Sequence, residues 1–107
     1  MSSSGQLETY VIRRRSGWAS PEELEKGGAK SADVGDNEMS DDIRWIRSYV
    51  VEEEDGRLGT VCIYQASSPE KIREHADRVG MPASEITKVA DTVIVRPDPQ
   101  PAETATV

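Results

Sequence analysis

The stretch Ile43-Arg44-Trp45-Ile46-Arg47-Ser48-Tyr49-Val50-Val51, followed by Glu52-Glu53-Glu54-Asp55-Gly56 and then Leu58-Gly59-Thr60-Val61-Cys62-Ile63-Tyr64-Gln65-Ala66, reads as two β-rich runs joined by an acidic turn. β-Branched and aromatic residues suit a pleated, half-buried surface, and Gly56 supplies the positive φ that a tight reversal needs. The spacing predicts a β-hairpin. In its first run Ile43, Trp45, Arg47, Tyr49 and Val51 share one parity, and Ile46, Ser48 and Val50 share the other. A strand with apolar side chains on both sides is usually covered on both faces.

Upstream, Leu7 to Arg14 places Leu7, Tyr10, Val11 and Ile12 among Thr and charged residues and reads as the first strand. Ser20-Pro21-Glu22-Glu23 sets an N-cap serine, a proline at the first helical position and a glutamate three after the cap, so a helix begins at Pro21. Gly27 and Gly28 each cost about 1 kcal/mol relative to alanine inside a helix, so this one must lean on tertiary packing and is expected to fray after Ala32. Asp33 to Asp42 then reads as an acidic connector.

Downstream, Ser68-Pro69-Glu70 repeats the capping logic, and Ile72, His75, Ala76 and Val79 fall on one helical face. Gly80 ends that helix and Pro82 prevents its resumption. Ile86 to Val95, with Val89, Val93 and Val95 on one parity, is the expected fourth strand. The order β, α, β, β, α, β predicts an α+β, ferredoxin-like fold, with a four-stranded antiparallel sheet and both helices on one face. The opposite sheet face then needs cover, and the simplest cover is a second copy, giving a homodimer of the dimeric α+β barrel type.

At 107 residues the chain has the length of one domain, and with no Phe, two Trp and three Tyr its core must rest on aliphatic residues. Thirteen basic against 20 acidic residues leave a net charge of −7, which opposes a phosphate backbone and argues against nucleic acid. The single Cys makes no intrachain disulfide, and no apolar run approaches the length of about 20 residues that a membrane span requires. A soluble, cytoplasmic setting is expected. Residues 1–6 read as a flexible leader, 7–95 as the folded domain and the Pro-rich 96–107 as a disordered tail.

The runs Ile43-Arg44-Trp45-Ile46-Arg47-Ser48-Tyr49-Val50, Cys62-Ile63-Tyr64-Gln65-Ala66, Ser68-Pro69-Glu70, Arg73-Glu74-His75-Ala76 and Gly80-Met81-Pro82-Ala83 resemble a bacterial family of small domains of unknown function, labelled nickel-binding and folded as a ferredoxin-like dimer. Ser20-Pro21-Glu22-Glu23-Leu24 is similar to that family's first helix start. The resemblance implies a cofactor, nickel or another divalent transition metal. Family members often carry histidine in a Trp-x-His-Ser-Tyr-Val run, which would set a strand imidazole beside the helix imidazole at His75. Here Arg47 stands in that place, and a guanidinium has no lone pair to give a metal.

His75, the only histidine, lies on the apolar face of its helix, where it is a metal ligand, a proton carrier or a satisfied core residue. Cys62 offers a soft thiolate to complete a metal site with His75, or is simply a small buried apolar residue. Arg47 is hard to enclose without a counter-charge: it either anchors an anion or pairs with an acid such as Glu74 or one from a partner chain. A site of Arg47, Tyr49, Tyr64 and His75 suits a small carboxylate or phosphate. Trp45 and Tyr49 form a stacking platform or pack in the core or a dimer interface. Glu52 to Asp55 lacks the ligand spacing of a calcium loop, and no catalytic triad, phosphate loop or paired-Cys zinc spacing is present.

The expectation is therefore non-enzymatic binding of a divalent metal or small ligand between sheet and helices, with Trp45, Arg47, Tyr49, Tyr64 and His75 as ligand-binding residues and His75 and Cys62 as metal ligands. The alternatives are a cofactor-free enzyme acting on a small anion and a dimeric interaction module.

Overall fold

Strand β1 spans Glu8–Trp18, helix α1 Pro21–Asp33, strand β2 Ile43–Glu52, strand β3 Leu58–Ala66, helix α2 Pro69–Val79 and strand β4 Glu85–Lys88. The structure, a computed structural model, describes residues 6–99. Most of the expected leader, and the tail from residue 100 onward, lie outside the described residues. The strands form one sheet in the order β2-β3-β1-β4 with every neighbouring pair antiparallel. This is the ferredoxin-like βαββαβ arrangement.

Both helices start as their sequences require. Ser20 Oγ accepts from the Glu23 amide at 3.3 Å while Glu23 Oε1 accepts from the Ala19 amide at 2.9 Å. Ser68 Oγ accepts from the Lys71 amide at 3.3 Å, and Gly80, at φ 85°, closes α2 in the left-handed conformation. Ile72, His75, Ala76 and Val79 are buried on the inner face of α2. They belong to a core that includes Tyr10, Ile12, Ile43, Cys62, Tyr64 and Ala66.

The two helix glycines are explained by the tryptophans they meet. A Cβ on Gly27 would stand 2.9 Å from Trp18 Nε1, so only glycine lets that indole pack against α1. A Cβ on Gly28 would make ordinary contact, 3.8 Å, with Trp45. Strand β1 reaches Trp18, beyond the expected end at Arg14, through a register irregularity at Ser16, whose φ is 51°. The acidic connector is also more structured than expected. Helix α1 does not fray after Ala32 but passes into a π-helical turn, Val34–Glu38, because Val34 and Met39 are the apolar anchors of that run and both are buried in the core.

Strand β4 is shorter than the expected Ile86 to Val95. Lys88 pairs with Tyr10, and β1 begins only two residues further on, at Glu8, so the chain beyond Val89 has no strand to join. Val93, Ile94 and Val95 are accordingly 84 %, 75 % and 79 % exposed.

The register of β2 changes the reading of its faces most. Trp45 pairs with Tyr64, but the next pairing is Arg47 with Ile63, so Ile46 is an extra residue and the parity inverts after it. Ile43, Trp45, Ser48 and Val50 therefore oppose β3 residues that face the helices, whereas Arg47 and Tyr49 oppose Ile63 and Val61 on the uncovered face. As the edge strand, β2 leaves Trp45, Ile46, Tyr49 and Val50 substantially exposed in the single chain.

Candidate functional site

Alternation along β1 puts Tyr10, Ile12 and Arg14 on the same side, so an arginine occupies a core position. Only 1 % of Arg14 is accessible. Its Nη1 donates to the Pro82 carbonyl, and its guanidinium carbon lies 5.8 Å from the centre of the Tyr64 ring, a cation–π contact. Its Nη2 has no hydrogen-bond partner among the described residues.

Arg14 lines a cavity of about 120 Å³ between α1 and the sheet. Trp18 from the end of β1 and Leu24 and Gly28 from α1 form one wall, and Met81 borders it. Trp45 and Val50, both partly exposed on the edge strand, stand at its solvent side. The hydrogen-bonding groups beneath the cavity are paired with one another. Trp45 Nε1 donates to Ser48 Oγ at 2.7 Å, Ser48 donates to Cys62 Sγ at 3.0 Å, and the Cys62 thiol donates to Thr60 Oγ1 at 3.3 Å. Tyr64 stacks on Trp45 at 6.1 Å, and its hydroxyl pairs with Ser31 Oγ at 2.9 Å. Burial pushes the Tyr64 hydroxyl pKa up, against smaller opposing effects of Ser31 and Arg14, so it is a neutral phenol.

His75 meets Tyr64 edge-on at 5.5 Å and does not line the cavity. Its Nε2 lies 3.0 Å from the Ser31 carbonyl oxygen, which can only accept, so Nε2 carries the proton. Burial holds its pKa below the ordinary histidine value, the Arg14 charge adds to the effect, and the hydrogen bond to Ser31 opposes both. The imidazole is neutral, and its Nδ1 has no partner among the described residues.

The residues expected to form one ligand site therefore divide into three places. Trp45, Tyr64 and Cys62 line the cavity, His75 lies beside Tyr64 outside it, and Arg47 and Tyr49 are on the other face of the sheet. There Arg47 Nη1 and the Tyr49 hydroxyl both donate to Asp98 Oδ2, at 3.0 Å and 2.8 Å. Glu74, weighed as a partner for Arg47, pairs with Arg78 and Lys71 instead. The enclosed arginine is Arg14, which sequence reasoning passed over although its parity with Tyr10 and Ile12 was visible.

Nickel is tested by the donor set. Among the described residues no group of three or more His, Cys, Asp or Glu side chains is placed to hold a metal ion. The Nε2 of His75 is committed to Ser31, and the Cys62 thiol is engaged with Ser48 and Thr60. The described residues of one chain do not fit a nickel centre. Among the described residues no helix is long and apolar enough to cross a membrane.

Comparison with curated proteins and with solved structures gives no match. A protein-family model described as "Nickel responsive protein SCO4226-like" matches residues 10–89, which contain every residue that lines the cavity. The chain belongs to the nickel responsive protein SCO4226-like family.

Proposed function

We propose that this domain is a non-enzymatic binding module whose small-molecule ligand occupies the cavity between α1 and the sheet. The observation that carries this reading is the enclosure of Arg14 at an otherwise largely apolar cavity that reaches solvent beside Trp45 and Val50. Pockets with apolar walls and few convergent polar groups are the usual form of small-ligand sites. The test is a thermal-shift panel of small organic compounds on the full chain and on Gly28→Leu, which fills the cavity from α1 while removing a helix-destabilising glycine. Compounds that raise the melting temperature of the natural chain and not of the variant support the reading. Equal shifts in both proteins, or none in either, contradict it.

A second reading, nickel binding, is favoured by the family's description and by the lone pair on His75 Nδ1, which has no partner among the described residues. It requires ligands beyond the described set, from a second copy or from residues outside it. Calorimetric titration of the metal-free chain with nickel and zinc, beside His75→Ala, tests it: saturable heat lost in the variant supports a metal centre, and no heat from either protein removes it.

Self-association is part of the same proposal. Val11, Val61 and Ile63 share the sheet face away from the helices, and Tyr49 on the same face is 44 % exposed. A light-scattering mass of two chains supports a pair across this face, and a monomer mass contradicts it.

A further inference from the structure

The cavity contains one unexplained charge. An arginine cannot deprotonate, and a buried charge is costly unless a counter-charge meets it. Arg14 is 1 % exposed, yet among the described residues it joins no ion pair. Its relief is a backbone carbonyl at Nη1 and the face of the Tyr64 ring, which leave Nη2 without a partner among the described residues. The other polar groups of the lining are already paired with one another, Ser31 with Tyr64 and Ser48 with Cys62.

We propose that the cavity takes a small monocarboxylate with a compact apolar body, the carboxylate on the Arg14 guanidinium and the body against Trp18, Trp45 and Val50. A single donor group suits a monoanion. A phosphate dianion, by contrast, needs several convergent donors, which this lining does not offer. Size agrees: an apolar cavity of about 150 Å³ takes benzene, so one of about 120 Å³ encloses a short-chain acid, and an aromatic acid fits with part of its ring at the open side beside Trp45 and Val50. The inference rests on the reading of the cavity as the ligand site, and adds the ligand's charge and class.

Trp18 and Trp45 are the only tryptophans and both line the cavity, so intrinsic fluorescence reports its occupation directly. The full chain is titrated with acetate, butyrate and benzoate, with benzyl alcohol as a neutral analogue, and with inorganic phosphate. The same series is run on Arg14→Met and Gly28→Leu. At least one carboxylate is expected to bind the natural chain more tightly than benzyl alcohol. In Arg14→Met that affinity falls roughly ten- to a hundredfold, the loss of one charge-assisted hydrogen bond, while benzyl alcohol is unaffected. Gly28→Leu, whose Arg14 is untouched, binds neither. Equal binding of benzoate and benzyl alcohol, unchanged in Arg14→Met but lost in Gly28→Leu, overturns the carboxylate and keeps the cavity. Tighter binding of phosphate than of every carboxylate overturns the ligand class. No fluorescence response from any compound overturns the proposal together with the cavity reading beneath it.

Discussion

The guanidinium carbon of Arg14 lies 5.8 Å from the centre of the Tyr64 ring, and the Tyr64 hydroxyl is paired with Ser31 Oγ at 2.9 Å. The ring therefore holds a cation over its face and anchors α1 through its edge. Replacing Tyr64 by Phe keeps the first contact and deletes the second, leaving the buried Ser31 hydroxyl without its partner. A loss of about 1–3 kcal/mol is predicted, measured by urea denaturation, and Ser31→Ala in the Tyr64→Phe background should restore part of it. Full additivity of the two changes would contradict the pairing.

The adjacent helix glycines are predicted to respond to alanine with opposite sign. Gly28→Ala meets only ordinary contact with Trp45 and should gain about 0.5–1 kcal/mol from helix propensity. Gly27→Ala sets a methyl 2.9 Å from Trp18 Nε1, on a rigid ring that is 7 % exposed. Overpacking of this kind costs about 1–3 kcal/mol, which exceeds the propensity gain. Thermal or urea melts of the two variants should bracket the natural chain.

His75 should make the fold sensitive to mild acid. Its pKa is lowered in the folded chain, so at a pH below the ordinary histidine value of about 6.5 the unfolded chain binds the proton that the folded chain refuses. The stability associated with neutral His75 is thus fully present above that value and is lost as pH falls below it toward the folded pKa. His75→Gln retains a donor for the Ser31 carbonyl and does not titrate. Its denaturation midpoint should vary less between roughly pH 7 and pH 5.5 than that of the natural chain. Parallel profiles would contradict the assignment.

Asp98 joins Arg47 and Tyr49 on the exposed sheet face. Because exposed ion pairs contribute little, Asp98→Ala should leave the melting temperature nearly unchanged. It should, however, speed proteolysis between Val89 and Asp98, a segment without strand pairing that this contact ties to the sheet. An unchanged cleavage rate there would show that the contact does not hold the segment.

The fold was legible because local signals agreed with one another: both Ser-Pro-Glu caps, the α2 stripe and the acidic hairpin turn all point to the observed elements. The site was legible only in its logic. An enclosed arginine was expected to mark an anion site, but simple alternation was carried through Ile46, and the bulge there sends Arg47 and Tyr49 to the opposite face from Trp45. A one-residue irregularity leaves no mark in composition or periodicity. Arg14, in contrast, follows Tyr10 and Ile12 without interruption and was readable from the strand pattern. Strand β4 was overextended because Val93, Ile94 and Val95 have strand-forming side chains, while the end of β1 that denies them a partner is a tertiary fact.

Mapping the amide shifts of the isotope-labelled full chain during titration with benzoate tests the central claim most directly, because it locates the ligand as well as detecting it. The account predicts saturable changes concentrated at Arg14, Gly28, Ser31, Thr60 and Tyr64, around the cavity. Changes centred on Arg47 and Tyr49, or no saturable change, would contradict it.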